Sequence, residues 1–233
     1  NQLNGQAPAS YIHADALPVV TRIAPNVPVT PATTSCSCWQ QRDASFSVVP
    51  FDFYSPPDYR NDDGSTAIIN LPFSFCLYGQ SWTNCYINNN GNVSFGAPYG
   101  TFTATGFPNA SFEMVAPFWA DVDTRNLASG LVYYKITPTY MIVQWDSVGY
   151  YSNHTNLVNT FQLIITDGSD PIVPNGNVSF CYKDMQWTTG DASSGVGGFN
   201  GSDAIVGANR GDGVNYIQFG SFNQPGGNYN GPA

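Results

Sequence analysis

From residue 46 onward the chain is a series of short apolar runs closed by glycine, asparagine, aspartate or proline, and no long stretch repeats apolar residues at helical spacing. Short alternating runs are typical of strands, and the Asn90-Gly91 pair between two of them is a strong hairpin signal. About ten closely spaced strands predict an all-β domain, an antiparallel β-sandwich, with no helix longer than two turns. The predicted strands cover residues 46–51, 66–78, 83–87, 92–95, 111–122, 130–136, 140–148, 159–166, 177–187, 203–208 and 214–219.

The two ends of the chain depart from this pattern. Residues 1–45 are proline-rich and lack sustained periodicity, which predicts an extended N-terminal arm that lies along the domain or leads in from a neighbour. Residues 46–222 make up the predicted sandwich, and residues 223–233 have the composition of a tail or linker. No apolar run approaches the roughly 18 residues of a transmembrane helix, so we expect no direct membrane insertion within this chain.

The charge balance limits the partners. The 233 residues include 7 basic and 16 acidic ones, a formal net charge of −9. A protein that binds nucleic acid needs a basic face to displace counterions, so nucleic acid is not expected as a partner, and anionic membrane surfaces are disfavoured for the same reason. Only 10% of the residues are charged, against about 25% in ordinary soluble domains. This composition is common in secreted β-proteins and favours divalent cations, extracellular proteins or glycans as partners.

The five cysteines leave at least one thiol unpaired within the chain. Cys76 and Cys85 flank a short turn, which predicts a disulfide across a hairpin; the alternative is a pair of buried free thiols. Cys36 and Cys38 are too close to bridge each other comfortably, so one of them is expected to pair with Cys181. The C-x-x-C pairs typical of a zinc site are absent.

The segment VAPFWADVDTR, residues 115–125, ends an apolar run with two carboxylates, Asp121 and Asp123. Side chains two apart in a strand share one face, so these carboxylates are expected side by side, with Arg125 as a neighbour. In the favoured interpretation they accept backbone N–H bonds from the following turn and pair with Arg125. In the second they bind Ca²⁺, which takes about six to eight oxygen ligands and would need loop carbonyls, amides and water as well. In the third they are catalytic.

Residues suited to catalysis are scarce. The two histidines, His13 and His154, fall in the arm and in a polar loop, and Glu113 is the only glutamate. A glycosidase normally opposes two carboxylates from different strands, whereas Asp121 and Asp123 lie on one. The motifs of serine hydrolases and zinc proteases are absent. We therefore predict a non-catalytic protein, assign no catalytic residue and no cofactor other than the candidate Ca²⁺, and keep a secreted hydrolase as the least favoured alternative.

Two further features are compatible with binding. Tyr150 and Tyr151, in SVGYYSNHTN, could stack on sugar rings as in a carbohydrate-binding module, although packing within a loop is the simpler interpretation. The tripeptide Arg210-Gly211-Asp212 is one that some integrins recognise, but a three-residue match often arises by chance.

Six segments in a fixed order resemble one known family. They are VAPFWADVDTR (115–125), GLVYYK (130–135), IVQWDSVGYY (142–151), NTFQLII (159–165), VSFCYKDMQWTTG (178–190) and GDGVNYIQF (211–219). Together they are similar to the NIDO domain over about residues 65–220. The resemblance implies a non-catalytic extracellular module for adhesion or interaction in a secreted or cell-surface protein. The arm, with its CSCW (36–39), lies outside the resemblance and is similar to leaders of bacterial surface proteins that carry this module.

Overall fold

The computed structural model describes residues 38–223, which fold into two antiparallel six-stranded sheets packed together. The predicted all-β sandwich is confirmed. Most of the predicted arm, and the chain from residue 224 onward, lie outside the described residues. Within them the one helical element is a 3-10 turn, Asp191–Ser193, and no helix is long and apolar enough to cross a membrane.

The first sheet, here called the β8 sheet, is built around two long strands that are largely buried. Its strands are β1 (Ser47–Val48), β6 (Val122–Asp123), β7 (Leu131–Ile136), β8 (Tyr140–Tyr150), β9 (His154–Thr166) and β10 (Val178–Met185). They run in the order β1-β7-β8-β9-β10, and the short β6 also pairs with β8. The outer face of this sheet is covered by the segment 38–46, whose Trp39 and Phe46 pack near Ile142 and Ile164. Burial on both faces explains the uninterrupted apolar runs of β8 and β9.

The second sheet, here called the β5 sheet, contains the remaining strands. They are β2 (Ile69–Leu77), β3 (Gln80–Asn88), β4 (Asn92–Phe95), β5 (Glu113–Trp119), β11 (Ile205–Asn209) and β12 (Tyr216–Ser221). Their order is β12-β11-β5-β4-β3-β2, with the predicted Asn90-Gly91 turn between β3 and β4. In β2 the buried residues Leu71, Phe73, Phe75 and Leu77 alternate with more exposed ones, as expected of a strand that covers a core with one face.

The core between the sheets is rich in aromatic side chains. Trp145 stacks on Phe161 with ring centroids 5.0 Å apart, and its indole N–H donates to the Asn89 carbonyl at 2.9 Å. Burial of a large apolar side chain of this kind contributes roughly 1.5–3 kcal/mol. Large side chains from both sheets and from the segments that follow them are buried: Phe118, Trp119, Val122, Ile142, Val143, Trp145, Phe161, Leu163, Ile165 and Trp187.

The chain changes sheets between residues 119 and 122, so the predicted single strand over 111–122 is wrong at its C-terminal end. The β5 strand ends at Trp119 in one sheet, and β6 begins at Val122 in the other. Between them the Val122 N–H donates to the Ala120 carbonyl at 3.0 Å, which turns the backbone at Asp121. We call residues 120–121 the corner. A turn here breaks the two-residue alternation on which the expected common face of Asp121 and Asp123 depended.

One disulfide joins Cys38 to Cys181, which confirms that a cysteine of the C-x-C pair bonds to Cys181. Cys36 lies outside the described residues. The bond attaches the described start of the chain to β10 on the outer face of the β8 sheet.

The predicted Cys76–Cys85 disulfide is wrong. In the β2–β3 hairpin Cys76 lies opposite Ser81 and Cys85 lies opposite Ile69, so the two cysteines are far apart along the strands. They also face different sides, because Cys85 is buried in the core while Cys76 alternates with the core residues of β2. Both are free thiols, and burial raises the pKa of Cys85 to about 12. Cys85 therefore packs as a small, unreactive apolar residue.

Candidate functional site

Four aspartates converge beside the corner. Asp121 lies on the corner and Asp123 in β6, while Asp62 and Asp63 come from the loop before β2, where Asp62 forms an isolated antiparallel bridge with Asp123. One carboxylate oxygen from each of Asp62, Asp63 and Asp121 lies within 4.8 Å of the other two. We call these three residues the acidic cluster. Oxygen ligands in this number and proximity could hold a hard divalent cation.

Asp123 is fully engaged by the turn that follows it. Its Oδ1 accepts hydrogen bonds from the backbone N–H and Nε of Arg125 at 2.9 and 3.0 Å. Its Oδ2 accepts from Arg125 Nη2 at 2.6 Å and from the Asn153 N–H at 2.8 Å. Asp123 is completely buried, and four donors satisfy its two oxygens. Asp123 therefore accepts backbone N–H bonds and pairs with Arg125, as in the favoured interpretation of the VAPFWADVDTR segment. The structure does not bring this residue into the acidic cluster.

Asp121 is in the opposite situation. It is 1% exposed, and its Oδ2 has no hydrogen-bond partner. Burial raises the pKa of Asp121 to about 8, with further contributions from the negative charges of Asp62, Asp63, Asp123 and Asp191. A buried carboxylate without compensation is unfavourable, so this group needs either a proton or a cation.

Asp62 and Asp63 have one positive charge close to them, that of Arg125. The Arg125 Nη2 lies 3.1 Å from Asp62 Oδ2, but the same guanidinium is already paired with Asp123. Asp62 Oδ1 is buried and has no partner. Burial, followed by the charges of Asp63 and Asp123, raises the pKa of Asp62 to about 7 in spite of Arg125. Burial also raises the pKa of Asp63.

The asparagine-rich turn between β3 and β4 positions the cluster. Asn90 Nδ2 donates to Asp63 Oδ1 at 2.6 Å and to the Gly100 carbonyl at 3.2 Å. The Oδ1 of the same side chain accepts from the Val122 N–H at 3.0 Å. One amide thus holds the loop that carries Asp63 and the strand that follows the corner.

This turn also packs closely against β5. Gly91 has a φ of +72°, and a Cβ at this position would collide with the carbonyl of Phe118, so the close approach requires glycine. Asn89 Nδ2 donates to the Val122 carbonyl at 2.5 Å. The asparagines of the turn are all buried: Asn88, Asn89, Asn90 and Asn92. Polar side chains therefore fill the interior at this end of the sandwich.

The loop after β10 closes the other side of Asp121. A Cβ on Gly190 would lie 2.5 Å from Asp121 Oδ2, so the absence of a side chain lets this loop cover the carboxylate. In the same loop Asp191 Oδ2 lies 2.8 Å from His154 Nε2, and both side chains are partly exposed. His154, expected in a polar loop, is the first residue of β9.

The sequence places two other candidate sites that the structure now describes. Tyr150 is 1% exposed and its ring packs against Trp187 and His154, so packing, the simpler of the two interpretations, describes it and no face is open to a sugar. Tyr151 is only partly buried and lies beneath the Arg125 guanidinium at 5.5 Å, so sugar binding through Tyr151 stays a prediction.

The Arg210-Gly211-Asp212 tripeptide lies in the β11–β12 turn, and its carboxylate is occupied by that turn. Asp212 Oδ1 accepts from the backbone N–H groups of Val214 and Asn215 at 2.9 and 2.7 Å. Its Oδ2 accepts from Asn215 Nδ2 at 2.6 Å. This arrangement gives the carboxylate a local structural role.

Two members of the acidic cluster were missed from the sequence. Asp62 and Asp63 lie far upstream of Asp121 and fall outside the predicted strands. The signal that could have found them is Asn61-Asp62-Asp63-Gly64, a turn sequence with two adjacent carboxylates. Spacing alone does not show that this turn meets the corner, because the contact depends on where the chain changes sheets.

Comparisons with known proteins identify relatives of the whole sandwich. A family model described as NIDO related matches residues 40–224. Alpha-tectorin of Homo sapiens is 34% identical over 186 residues, which covers 67% of this chain and 8% of that protein. Alpha-tectorin of Gallus gallus is 31% identical over 227 residues, covering 78% of this chain and 10% of that protein.

A more distant relative is nidogen of Drosophila melanogaster, 24% identical over 159 residues, with 56% of this chain and 11% of that protein covered. The chain thus spans about a tenth of the length of these relatives. No solved structure matches the chain.

Proposed function

This chain belongs to the NIDO-related family, and from that premise we propose that it is an extracellular, non-catalytic interaction domain that takes part in adhesion to an extracellular protein. The observation that carries the proposal is its similarity to alpha-tectorin and nidogen, which are extracellular matrix proteins. The match to the family model extends over nearly all of the described residues, so it concerns the complete sandwich and not one motif.

The disulfide supports an extracellular location. Stable disulfides form in oxidising compartments and are rare in the cytosol, where thiols are kept reduced. The bond between Cys38 and Cys181 joins a surface segment to a buried position in β10. It is a structural bond because it connects distant parts of the chain and lies outside the acidic cluster.

We propose that the partner contacts the end of the sandwich that carries the acidic cluster. Two large apolar side chains stand open to solvent there: Phe53 is 98% exposed and Leu127 is 83% exposed. Their loops adjoin the cluster, since Tyr54 Oη donates to the Asp62 carbonyl at 3.2 Å and Arg60 Nη2 donates to the Leu127 carbonyl at 3.4 Å. Exposed apolar side chains of this size are suited to a protein interface.

The opposite end of the sandwich offers a matched control. Val214 is 74% exposed in the β11–β12 turn. Asn209, the last residue of β11 before that turn, pairs with Met114 near the beginning of β5. Asp121 follows the end of β5, so the turn and the acidic cluster lie at opposite ends of this strand. At about 3.4 Å per residue, the stretch of β5 from Met114 to Trp119 separates the two ends by about 17 Å.

The test is binding of the secreted chain to cell-free extracellular matrix laid down by cultured cells. We expect saturable binding that unlabelled chain competes away. Phe53→Ser with Leu127→Ser should weaken it at least tenfold, while Val214→Ser should leave it unchanged. Absence of saturable binding would overturn the adhesive role, and competition by free oligosaccharides would show that the partner is a glycan. Turnover of matrix polysaccharide or protein by the purified chain would overturn the non-catalytic assignment.

A further inference from the structure

The acidic cluster carries more negative charge than the described residues around it neutralise. The ion pair of Arg125 with the cluster is its 3.1 Å contact with Asp62, and its guanidinium is held on Asp123. Arg60, in the same loop as Asp62, points its Nη1 at main-chain carbonyls of the 124–129 loop, with donor–acceptor distances of 2.8–3.0 Å. Among residues 38–223 no basic side chain forms an ion pair with Asp121 or Asp63.

A second and independent observation is the unpartnered carboxylate of Asp121. Asp121 and Asp123 are buried to the same degree and lie two residues apart. The fold supplies Asp123 with four N–H donors, yet it leaves Asp121 Oδ2 without any. Asp121 contributes an oxygen to the cluster, within 4.8 Å of those from Asp62 and Asp63. The buried oxygen of Asp62, Oδ1, is unpartnered as well.

We infer that the acidic cluster binds one Ca²⁺ ion, with Asp62, Asp63 and Asp121 as its protein ligands. Three carboxylates can supply up to about six of the six to eight oxygens that Ca²⁺ takes, and water can complete the shell. The set contains only oxygen donors, whereas Zn²⁺ favours nitrogen and sulfur. Mg²⁺ demands near-octahedral geometry and keeps several waters, which suits a cluster assembled from two separate loops less well.

The proposed ion has a defined structural effect. It joins the loop before β2 to the corner at which the chain passes from the β5 sheet to the β8 sheet. The amide of Asn90 also links these segments, because it contacts Asp63 on one side and the Val122 N–H on the other. Asp62 is joined to β6 by its bridge with Asp123. Binding of Ca²⁺ therefore stabilises the native state and orders the end of the sandwich that carries Phe53 and Leu127.

The test uses the full chain, stripped with EDTA and dialysed, then titrated with CaCl₂ by calorimetry and followed in thermal melts. We expect one Ca²⁺ per chain. At a hundredfold excess over Kd the folding equilibrium constant should rise about a hundredfold. Asp121→Asn should abolish both effects, yet in EDTA it should unfold at or above the temperature of the parent chain, because the substitution removes a buried carboxyl group that must bear an uncompensated charge or take up a proton.

The control is Asp52→Asn, an exposed residue that loses the same charge in the segment preceding the cluster and should bind Ca²⁺ as the parent does. Asp63→Asn provides a second loss-of-binding variant if Asp121→Asn does not fold. The inference is overturned if the parent shows neither heat nor a melting shift with Ca²⁺, or if binding persists in the cluster variants. An equal shift with MgCl₂ at the same concentration would overturn the assignment to Ca²⁺.

Discussion

Removal of the Cys38–Cys181 disulfide should cost this domain a large part of its stability, mainly through the unfolded state. The bond spans 143 residues of sequence. In the loop-entropy model a cross-link lowers the entropy of the unfolded chain by 2.1 + 1.5R ln n cal/mol/K, so a closed loop of 143 residues corresponds to about 17 cal/mol/K and to about 5 kcal/mol at 25 °C.

The folded state should survive without the bond, because the segment after Cys38 has other contacts. Gln40 and Gln162 exchange two hydrogen bonds of 3.1 and 2.6 Å. Arg42 lies 3.9 Å from the centre of the Tyr133 ring and 3.2 Å from Asp146 Oδ2. We therefore expect the double variant Cys38→Ala/Cys181→Ala to keep the fold and to lose about 3–5 kcal/mol of unfolding free energy.

The measurement is urea unfolding followed by tryptophan fluorescence, on parent and double variant, each with and without reductant. Reductant should bring the parent close to the double variant and should leave the variant unchanged, although its free cysteines Cys76 and Cys85 remain. The loop-entropy argument is refuted if the unfolding free energies of the two chains differ by less than about 1 kcal/mol in oxidising buffer. The predicted difference is larger than the ordinary error of the extrapolation to zero urea.

Three smaller perturbations test other parts of the structure. Gly91→Ala should lower the unfolding free energy, measured in urea, by about 2–5 kcal/mol, because an unfavourable positive φ adds to a backbone collision. The control Gly168→Ala, with a φ of +86° and open space around it, should cost only about 1–2 kcal/mol. Equal losses in the two variants would contradict the collision at Gly91. Trp145→Phe should cost about 1–2 kcal/mol by the same assay, since it removes one of the two hydrogen bonds that the buried Asn89 carbonyl accepts and leaves a smaller ring in the core. Hydrogen bonds within the β11–β12 turn lower the pKa of Asp212 from 3.8 to about 2. The stability that the Asp212 carboxylate contributes above pH 3.8 should therefore be lost as the pH falls through about 2. NMR titration of this carboxyl group should locate the midpoint, and Asp212→Asn should remove the pH dependence.

Much of the architecture is encoded by local pattern. The alternation in INLPFSFCL identifies β2 because one face meets the core and the other meets solvent. Asn90-Gly91 identifies the β3–β4 turn because Gly91 adopts a positive φ. Burial of Trp145 follows from its position in the apolar strand β8. Each of these inferences uses only residues that are neighbours in sequence.

The errors concern contacts that local pattern does not contain. Cys76 and Cys85 flank a hairpin turn, but strand register and facing decide whether their sulfurs meet. Asp121 and Asp123 have strand spacing, but the corner separates their environments. The acidic cluster forms only when the loop of Asp62 is brought against that corner. Two-residue periodicity assumes a continuous strand, and it fails where a chain leaves one sheet for another.

The buried asparagine turn also affects how this protein ages. In an Asn-Gly sequence the glycine nitrogen attacks the asparagine side-chain carbonyl, ammonia leaves, and the resulting succinimide opens mainly to isoaspartate. Here the Gly91 N–H is bonded to the Asn89 carbonyl at 2.8 Å, and the Asn90 amide is held by Asp63 and Val122. Ring closure would break these bonds inside a closed interior, so the folded domain protects this Asn-Gly pair from deamidation. Chemical damage at this position would then accumulate in unfolded chains and spare folded ones.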